Sequence, residues 1–210
     1  PYVAGSTVLR ANRLDRTTRV LVTWSRARPE FAGRDLDAIA KKMGCDMFEA
    51  IERLQPAGAI YFMMDEADVR RVLSYPYAMI GSDGLPHDEH PHPRLWGTFP
   101  RILGHYVRDV GLFTLAEAVR RMTSLPAAKF GLTGRGVLRP GAVADLVLFD
   151  PATVGDLATF EKPKTPAAGI DTVWVNGRAV WHAGQSTGAR PGRALRLAQL
   201  GPMGGETPPA

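Results

Sequence analysis

The sequence predicts an α/β fold that begins with parallel sheet and ends in a small antiparallel β unit. Residues 59–63 and 78–81 form short continuous apolar runs, typical of strands buried on both faces, and a helical pattern over 66–73 lies between them. Strand, helix and strand in this order are typical of a parallel sheet. Further along, the dipeptide Asn176-Gly177 between two apolar runs predicts a hairpin of antiparallel strands.

Two further helices are predicted ahead of the first apolar run. The apolar residues over 36–43 fall on one helical face, and Gly44 follows as a C-terminal stop. Asp46 can cap a second helix over 47–54, which ends before Pro56.

Beyond the second apolar run the chain becomes polar and rich in histidine and proline, which predicts a long loop over 82–100. The patterns that follow predict helices over 101–109 and 115–122 and short strands at 137–138, 145–149 and 172–175. We assign residues 1–130 to the α/β part, 131–200 to the β unit and 201–210 to a disordered tail.

Composition excludes several classes of protein. The 210 residues carry a net charge of +5, but the basic residues are dispersed without interleaved aromatic side chains, which argues against a nucleic-acid partner. No apolar run approaches the length needed to cross a membrane. Cys45 is the single cysteine and excludes an internal disulfide framework, so a cytoplasmic location is expected. The opening at Pro1 is typical of a cut through an ordered domain, and we expect a piece of a longer protein.

The most specific candidate for chemistry is Asp83, which follows the apolar run 78–81 and stands between Ser82 and Gly84. In parallel barrels the active-site groups lie at the carboxyl ends of strands, where Asp83 is expected. Small neighbours leave room for a ligand to approach the carboxylate. An aspartate before glycine is also common in turns, where its side chain only stabilises the backbone. Spacing alone favours neither interpretation.

The loop after Asp83 contains His87, His90 and His92, an H-x-x-H-x-H array that invites a metal interpretation, because neutral imidazoles bind zinc well. Two of these histidines precede prolines in a polar loop, where solvated histidines are commoner than ligands. A zinc site built from these three is not expected. One of them could still contact substrate or orient Asp83.

Arg70 and Arg71 lie on the predicted helix between the two apolar runs. One is expected to face solvent, whereas the other could hold a carboxylate with two hydrogen bonds. The residues alone leave the role of Arg71 open. Ser6, in the segment 4–7, could donate a hydroxyl hydrogen bond to a ligand or belong to an ordinary turn.

Several long motifs resemble the D-aminoacylase family of the amidohydrolase superfamily. They are YVAGST at 2–7, QPAGAIYFMMD at 55–65, MIGSDGLPHDEHPHPRLWGTFPRILG at 79–104, FDPATV at 149–154 and TGARPGR at 187–193. Together they cover the chain from residue 2 to about 196, and the block around Asp83 is long enough to be specific.

This resemblance implies that residues 1–130 are the C-terminal part of a metal-dependent (β/α)8 TIM barrel and that 131–200 are part of a small β-sandwich. It implies that the intact enzyme hydrolyses N-acyl-D-amino acids to a D-amino acid and a carboxylate. Zinc would polarise the amide carbonyl and activate a water molecule. The expected partners are this small-molecule substrate and the missing N-terminal half of the same enzyme.

The resemblance also implies roles for individual residues. Asp83 matches the family's catalytic aspartate and is a weak candidate metal ligand. Arg71 matches the arginine that holds the substrate carboxylate, and Ser6 matches a serine that contacts the substrate. Tyr61 and Met64 fall where the family lines its side-chain pocket.

Two departures from the family pattern accompany these matches. Asp15 stands where family members carry an apolar pocket residue, so the resemblance leaves the preferred side chain open. The family's main zinc ligands, an H-x-H pair, a cysteine and histidines of middle strands, are expected upstream of Pro1, and Cys45 does not match the ligand cysteine.

Three alternatives to the deacylase are open. They are another amidohydrolase such as a dihydropyrimidinase-like cyclic amidase, a non-catalytic truncated product, and a β-rich binding module, which the βαβ part argues against. As a deacylase, the 210-residue chain alone is expected to be inactive, because most of the zinc ligands are missing.

Overall fold

The computed structural model describes residues 18–195, which form two compact units. The first unit comprises the chain up to Val69 together with Ser82–Trp96 and Ala158–Thr165; the second comprises Arg70–Gly81, Gly97–Leu157 and the chain from Pro166 onward. Ser6, Asp15 and the predicted tail over 201–210 lie outside the described residues. The predicted domain boundary at residue 130 stays a prediction.

The first unit is built on a three-stranded antiparallel sheet. Strand β1 (Val20–Ser25) lies between β2 (Arg34–Asp35) and β3 (Ala57–Tyr61). Helices α1 (Leu36–Met43) and α2 (Met47–Leu54) contribute apolar side chains to the same core. The buried core residues of this cluster are Val20, Val22, Phe31, Leu36, Ile39, Ala40, Ala50, Ile51 and Leu54.

The ends of α1 and α2 confirm the predicted caps. Gly44 adopts a left-handed backbone with φ of 66°, and its N–H donates to the carbonyls of Ala40 and Lys41. The Asp46 carboxylate accepts a hydrogen bond from the Glu49 N–H at 2.9 Å. The predicted helix over 66–73 is also present as α3 (Glu66–Leu73).

The prediction of a parallel sheet from residues 59–63 and 78–81 is wrong for the described chain. Strand β3 pairs antiparallel with β1, which the sequence analysis did not identify, and only Ile60 of β3 is buried. Residues 78–81 form no strand. Instead the Ile80 N–H donates to the Arg121 carbonyl of a helix at 3.2 Å. An apolar run becomes a strand only where a neighbouring strand supplies the ladder of hydrogen bonds.

The helix predicted over 101–109 begins earlier and changes type. Helix α4 (Arg94–Arg101) continues as a π-helix over Ile102–Asp109. It is followed by α5 (Leu115–Met122), as predicted, and by α6 (Ser124–Lys129). No helix of residues 18–195 is long and apolar enough to cross a membrane.

Two glycines of this long helix allow close approach of the segment around Val154. A Cβ atom at Gly104 would lie 2.6 Å from the Val154 carbonyl oxygen, and one at Gly97 would lie 2.9 Å from the Asp156 Cβ. Arg108 donates to the same Val154 carbonyl at 2.6 Å. The glycine positions are therefore required by packing.

The β unit is a four-stranded antiparallel sheet in sequential order. Its strands are β4 (Leu146–Phe149), β5 (Ile170–Val175), β6 (Arg178–His182) and β7 (Gln185–Ser186). Asn176 and Gly177 connect β5 to β6 with φ of 47° and 77°, which confirms the predicted hairpin. The strand predicted at 137–138 does not form.

Candidate active site

Asp83 lies in a turn with a left-handed backbone. Its backbone has φ of 47°, a left-handed conformation that is uncommon for residues other than glycine and is found at functional sites. The Ser82 hydroxyl accepts the Gly84 N–H at 3.3 Å and so holds the turn. The Asp83 carboxylate instead lies 2.6 Å from the Arg94 guanidinium, and 78% of the Asp83 side chain is exposed. The carboxylate is therefore paired with Arg94 and accessible to solvent, and its catalytic role stays a prediction.

Gly84 brings the Asp83 turn against the start of α4. A Cβ atom at Gly84 would lie 2.6 Å from Cδ1 and 3.0 Å from Cα of Leu95, so any larger residue would separate the loop from the helix. Arg94, the first residue of α4, reaches Asp83 because of this approach. Gly81 has no atom within 4 Å of such a Cβ among the described residues.

Arg94 is a candidate site residue that sequence reasoning missed. The available signal was its position at the end of the histidine-rich loop and at the beginning of a helix, within the motif 79–104. The Arg94 side chain is 39% exposed. Ion pairs with this much exposure contribute about 0–1 kcal/mol to stability, so the pair with Asp83 adds little to folding.

His92 is a neutral side chain that caps the start of α4. Its Nδ1 accepts the Arg94 N–H at 3.0 Å, so the proton of the neutral ring is on Nε2. Burial, reinforced by the positive charge of Arg94 and opposed by Asp83, lowers the pKa of His92 from 6.5 to about 4. At neutral pH the ring therefore acts as a backbone hydrogen-bond acceptor.

His90 connects the loop to two other parts of the chain through hydrogen bonds. Its Nε2 lies 2.6 Å from the Phe160 carbonyl and must donate, because a carbonyl oxygen only accepts. The His90 N–H donates to the Thr23 carbonyl at 3.0 Å. A Cβ atom at Gly33 would lie 2.7 Å from the His90 Nδ1, so the ring packs directly on that glycine.

The three histidines of the loop consequently have different environments. His87 is 67% exposed, and its Nε2 lies 3.6 Å from Oδ1 of the buried Asp88. Within residues 18–195 no group of three or more His, Cys, Asp or Glu side chains is arranged to hold a metal ion. Zinc sites use three or four protein ligands, whereas Asp83 would supply one carboxylate. The described residues thus do not fit a zinc ion by themselves.

Phe160 joins the histidine loop from a distant part of the chain. Its ring lies 5.2 Å from the His92 ring in an edge-on orientation of 77° and 4.7 Å from the Phe62 ring. The Arg19 guanidinium lies over Phe62 at 4.4 Å. Sequence reasoning gave no indication of Phe160.

Tyr61 and Met64 belong to the same compact unit as Asp83 and Arg94. Tyr61 is half-buried at the end of β3, and burial raises the pKa of its hydroxyl, which stays protonated. Met64 is 79% exposed. Arg71 is exposed on α3 and belongs to the second unit, and its predicted role stays a prediction.

Comparisons with known proteins identify the relatives of this chain. A model of the amidohydrolase family matches residues 12–181. A D-aminoacylase from Alcaligenes xylosoxydans xylosoxydans is 60% identical over 195 residues, which are 93% of this chain and 40% of that protein. An N-acyl-D-aspartate deacylase from the same organism is 55% identical over 196 residues, 93% of this chain and 39% of that protein.

The fold has a close counterpart among solved structures. The N-acyl-D-glutamate deacylase from Bordetella bronchiseptica, complexed with zinc and a phosphonate inhibitor, superposes with a TM-score of 0.79 and 52% identity over 83% of this chain and 37% of that chain. The present chain spans about two fifths of the length of the curated relatives it matches.

These matches confirm the predicted resemblance and fold class, which is part of a (β/α)8 barrel with part of a small β-sandwich. The roles of individual site residues stay predictions. With a family model that matches most of its length, the chain belongs to the amidohydrolase family.

Proposed function

We propose that the intact protein hydrolyses N-acyl-D-amino acids to a D-amino acid and a carboxylate. The observation that carries this proposal is Asp83, whose exposed carboxylate stands in a left-handed turn beside Arg94. Support comes from relatives that are 60% and 55% identical and are D-amino-acid deacylases.

Asp83 is proposed to transfer the proton in this reaction. Hydrolysis requires a bond between a water oxygen and the amide carbon, breakage of the C–N bond, and a proton for the departing amine. The Asp83 carboxylate takes a proton from the attacking water and later gives it to the amine nitrogen. Its 78% exposure leaves it accessible to both groups.

Two arginines are candidates to hold the α-carboxylate of the substrate. Arg71 is proposed for this role from the family resemblance, because a guanidinium can donate two parallel hydrogen bonds to a carboxylate. Arg94 is the second candidate, because it lies beside the proposed acid/base. Tyr61 and Met64 are proposed to contact the substrate side chain, and Ser6 to donate a hydroxyl hydrogen bond.

Zinc is proposed as the cofactor of the intact protein. The Bordetella bronchiseptica relative was solved with zinc, and bound zinc polarises carbonyl groups and lowers the pKa of water. Most of its ligands would come from outside this chain, with Asp83 as a possible additional ligand, because residues 18–195 contain no suitable cluster. The cytoplasm is the expected compartment.

The proposal is tested by measuring hydrolysis of paired N-acetyl-D- and N-acetyl-L-amino acids by the full-length protein, with and without a chelator. We expect hydrolysis of the D-isomers, little hydrolysis of the L-isomers, and loss of activity after metal removal. The 210-residue chain alone is expected to be inactive. Equal hydrolysis of both isomers, or no hydrolysis of either by metal-loaded enzyme, would contradict the proposed function.

A further inference from the structure

We propose that Phe160 is a positioning residue of the Asp83 site, acting through His92 and Arg94. The inference rests on the proposed function of Asp83. Phe160 lies in Ala158–Thr165, which belongs to the first compact unit although the chain on either side of it belongs to the second. The contact is highly non-local, since 70 residues separate Phe160 from His90.

The first step is the contact that Phe160 makes with His90 and His92, which lie two positions apart in the loop. His90 donates a hydrogen bond to the Phe160 carbonyl at 2.6 Å, which holds the backbone of the segment that contains Phe160. The Phe160 ring then meets the His92 ring edge-on, with 5.2 Å between their centroids. Phe62 lies 4.7 Å from the same Phe160 ring and supports it. The orientation of the His92 ring is thus set by packing.

The second step is the bond from His92 to the start of α4. The first N–H groups of a helix have no partner within the helix, and the His92 Nδ1 accepts one of them, that of Arg94, at 3.0 Å. Rotation of the ring would break this bond. Burial also lowers the pKa of His92 to about 4, which keeps the acceptor nitrogen unprotonated.

The third step joins Arg94 to Asp83. The Arg94 guanidinium lies 2.6 Å from the Asp83 carboxylate, so a shift of the helix start changes the position of the proposed acid/base. This pair is exposed and contributes little to folding. A displacement of about 1 Å can nevertheless cost about 100-fold in rate. Loss of Phe160 should therefore reduce kcat more than stability.

The test uses the full-length, zinc-loaded enzyme and N-acetyl-D-methionine. Phe160→Leu keeps an apolar side chain but removes the ring, and we expect kcat to fall by about 10- to 100-fold with a small change in Tm. Phe160→Tyr keeps the ring and should retain most activity. Phe130→Leu is the matched control, because Phe130 is 61% exposed and lies outside this contact. Wild-type kcat in Phe160→Leu would overturn the proposal.

His92 variants show whether Phe160 acts through that ring. His92→Asn offers a carbonyl oxygen that can accept the Arg94 N–H, whereas His92→Leu cannot, so Asn should retain more activity than Leu. In the His92→Leu background, Phe160→Leu should cause little further loss, because both residues serve one contact. Independent losses that multiply would refute the pathway through His92.

A measurement without turnover separates this inference from the proposed function. Side-chain NMR of His92 in the full-length protein should show a higher pKa in Phe160→Leu than in the wild type, where burial lowers it to about 4. An unchanged His92 titration would overturn the inference whatever the enzyme hydrolyses. A wild-type enzyme inactive on N-acyl-D-amino acids, with the expected titration change, would refute only the proposed function.

Discussion

The Arg94 guanidinium lies 2.6 Å from the Asp83 carboxylate, across a close approach that Gly84 makes possible. Both side chains are substantially exposed, so removing the ion pair should change the free energy of unfolding only slightly. Substitutions here consequently report on chemistry more than on folding, which makes the site suitable for kinetic tests.

Asp83→Asn in the full-length enzyme should lower kcat by about 100- to 10,000-fold, because asparagine keeps the shape but cannot transfer a proton. Tm, KM and bound zinc should change far less. All three are measured on the same preparation as kcat. A turn-stabilising Asp83 would give the reverse pattern, with lower Tm and nearly normal kcat per folded molecule.

Arg71→Lys should lower kcat/KM for N-acetyl-D-amino acids by about 10- to 100-fold, because an ammonium cannot replace two parallel guanidinium hydrogen bonds. Arg70→Lys on the same helix is the matched control and should have almost no effect. Arg94→Lys is measured in parallel. A large effect at Arg94 with none at Arg71 would assign the substrate carboxylate to Arg94.

Gly84→Ala should destabilise the protein by about 1–3 kcal/mol and also reduce kcat, because the added Cβ would overlap Leu95 and move the Asp83 turn. Gly155→Ala is the control, since a Cβ there meets no described atom within 4 Å. Denaturant midpoints and kcat are compared for both variants. Equal denaturant midpoints and equal kcat values in the two variants would show that the close approach of Gly84 to Leu95 contributes to neither stability nor activity.

His92 should make stability depend on pH between about 4 and 6.5. Its folded pKa of about 4 lies below the ordinary 6.5, so the unfolded chain binds a proton that the folded chain does not. This contribution is complete above pH 6.5, declines as pH falls, and levels off below about 4. The denaturant midpoint of His92→Asn should vary less over this range than that of the wild type. His87→Asn, at an exposed histidine, should keep the wild-type dependence.

Local interactions were predictable from the sequence, whereas the pairing of strands that are distant in sequence was not. The caps at Gly44 and Asp46 depend on neighbours a few residues away, and both were found as predicted. Strand β3 was located, but its antiparallel partner β1 was not, because pairing is decided by the folded core. Residues 78–81 carry a strand pattern without a described strand to pair with.

The same distinction applies to the candidate site. Asp83 could be selected because glycine, serine and an apolar run surround it in sequence. Arg94 depends on the close approach between Gly84 and Leu95, which no local pattern reveals. Phe160 meets His92 across a long separation in sequence and has no motif of its own.

That separation has a consequence for biosynthesis. A ribosome adds about 5–20 residues per second, so the 70 residues that follow His90, up to and including Phe160, take about 4–14 s to make. For most of this interval the nascent chain contains Asp83, His90, His92 and Arg94, but not the phenylalanine whose ring packs against His92. A pause or premature release before residue 160 would leave the loop around Asp83 without the Phe160 contact, so completion of the candidate site is linked to the progress of translation.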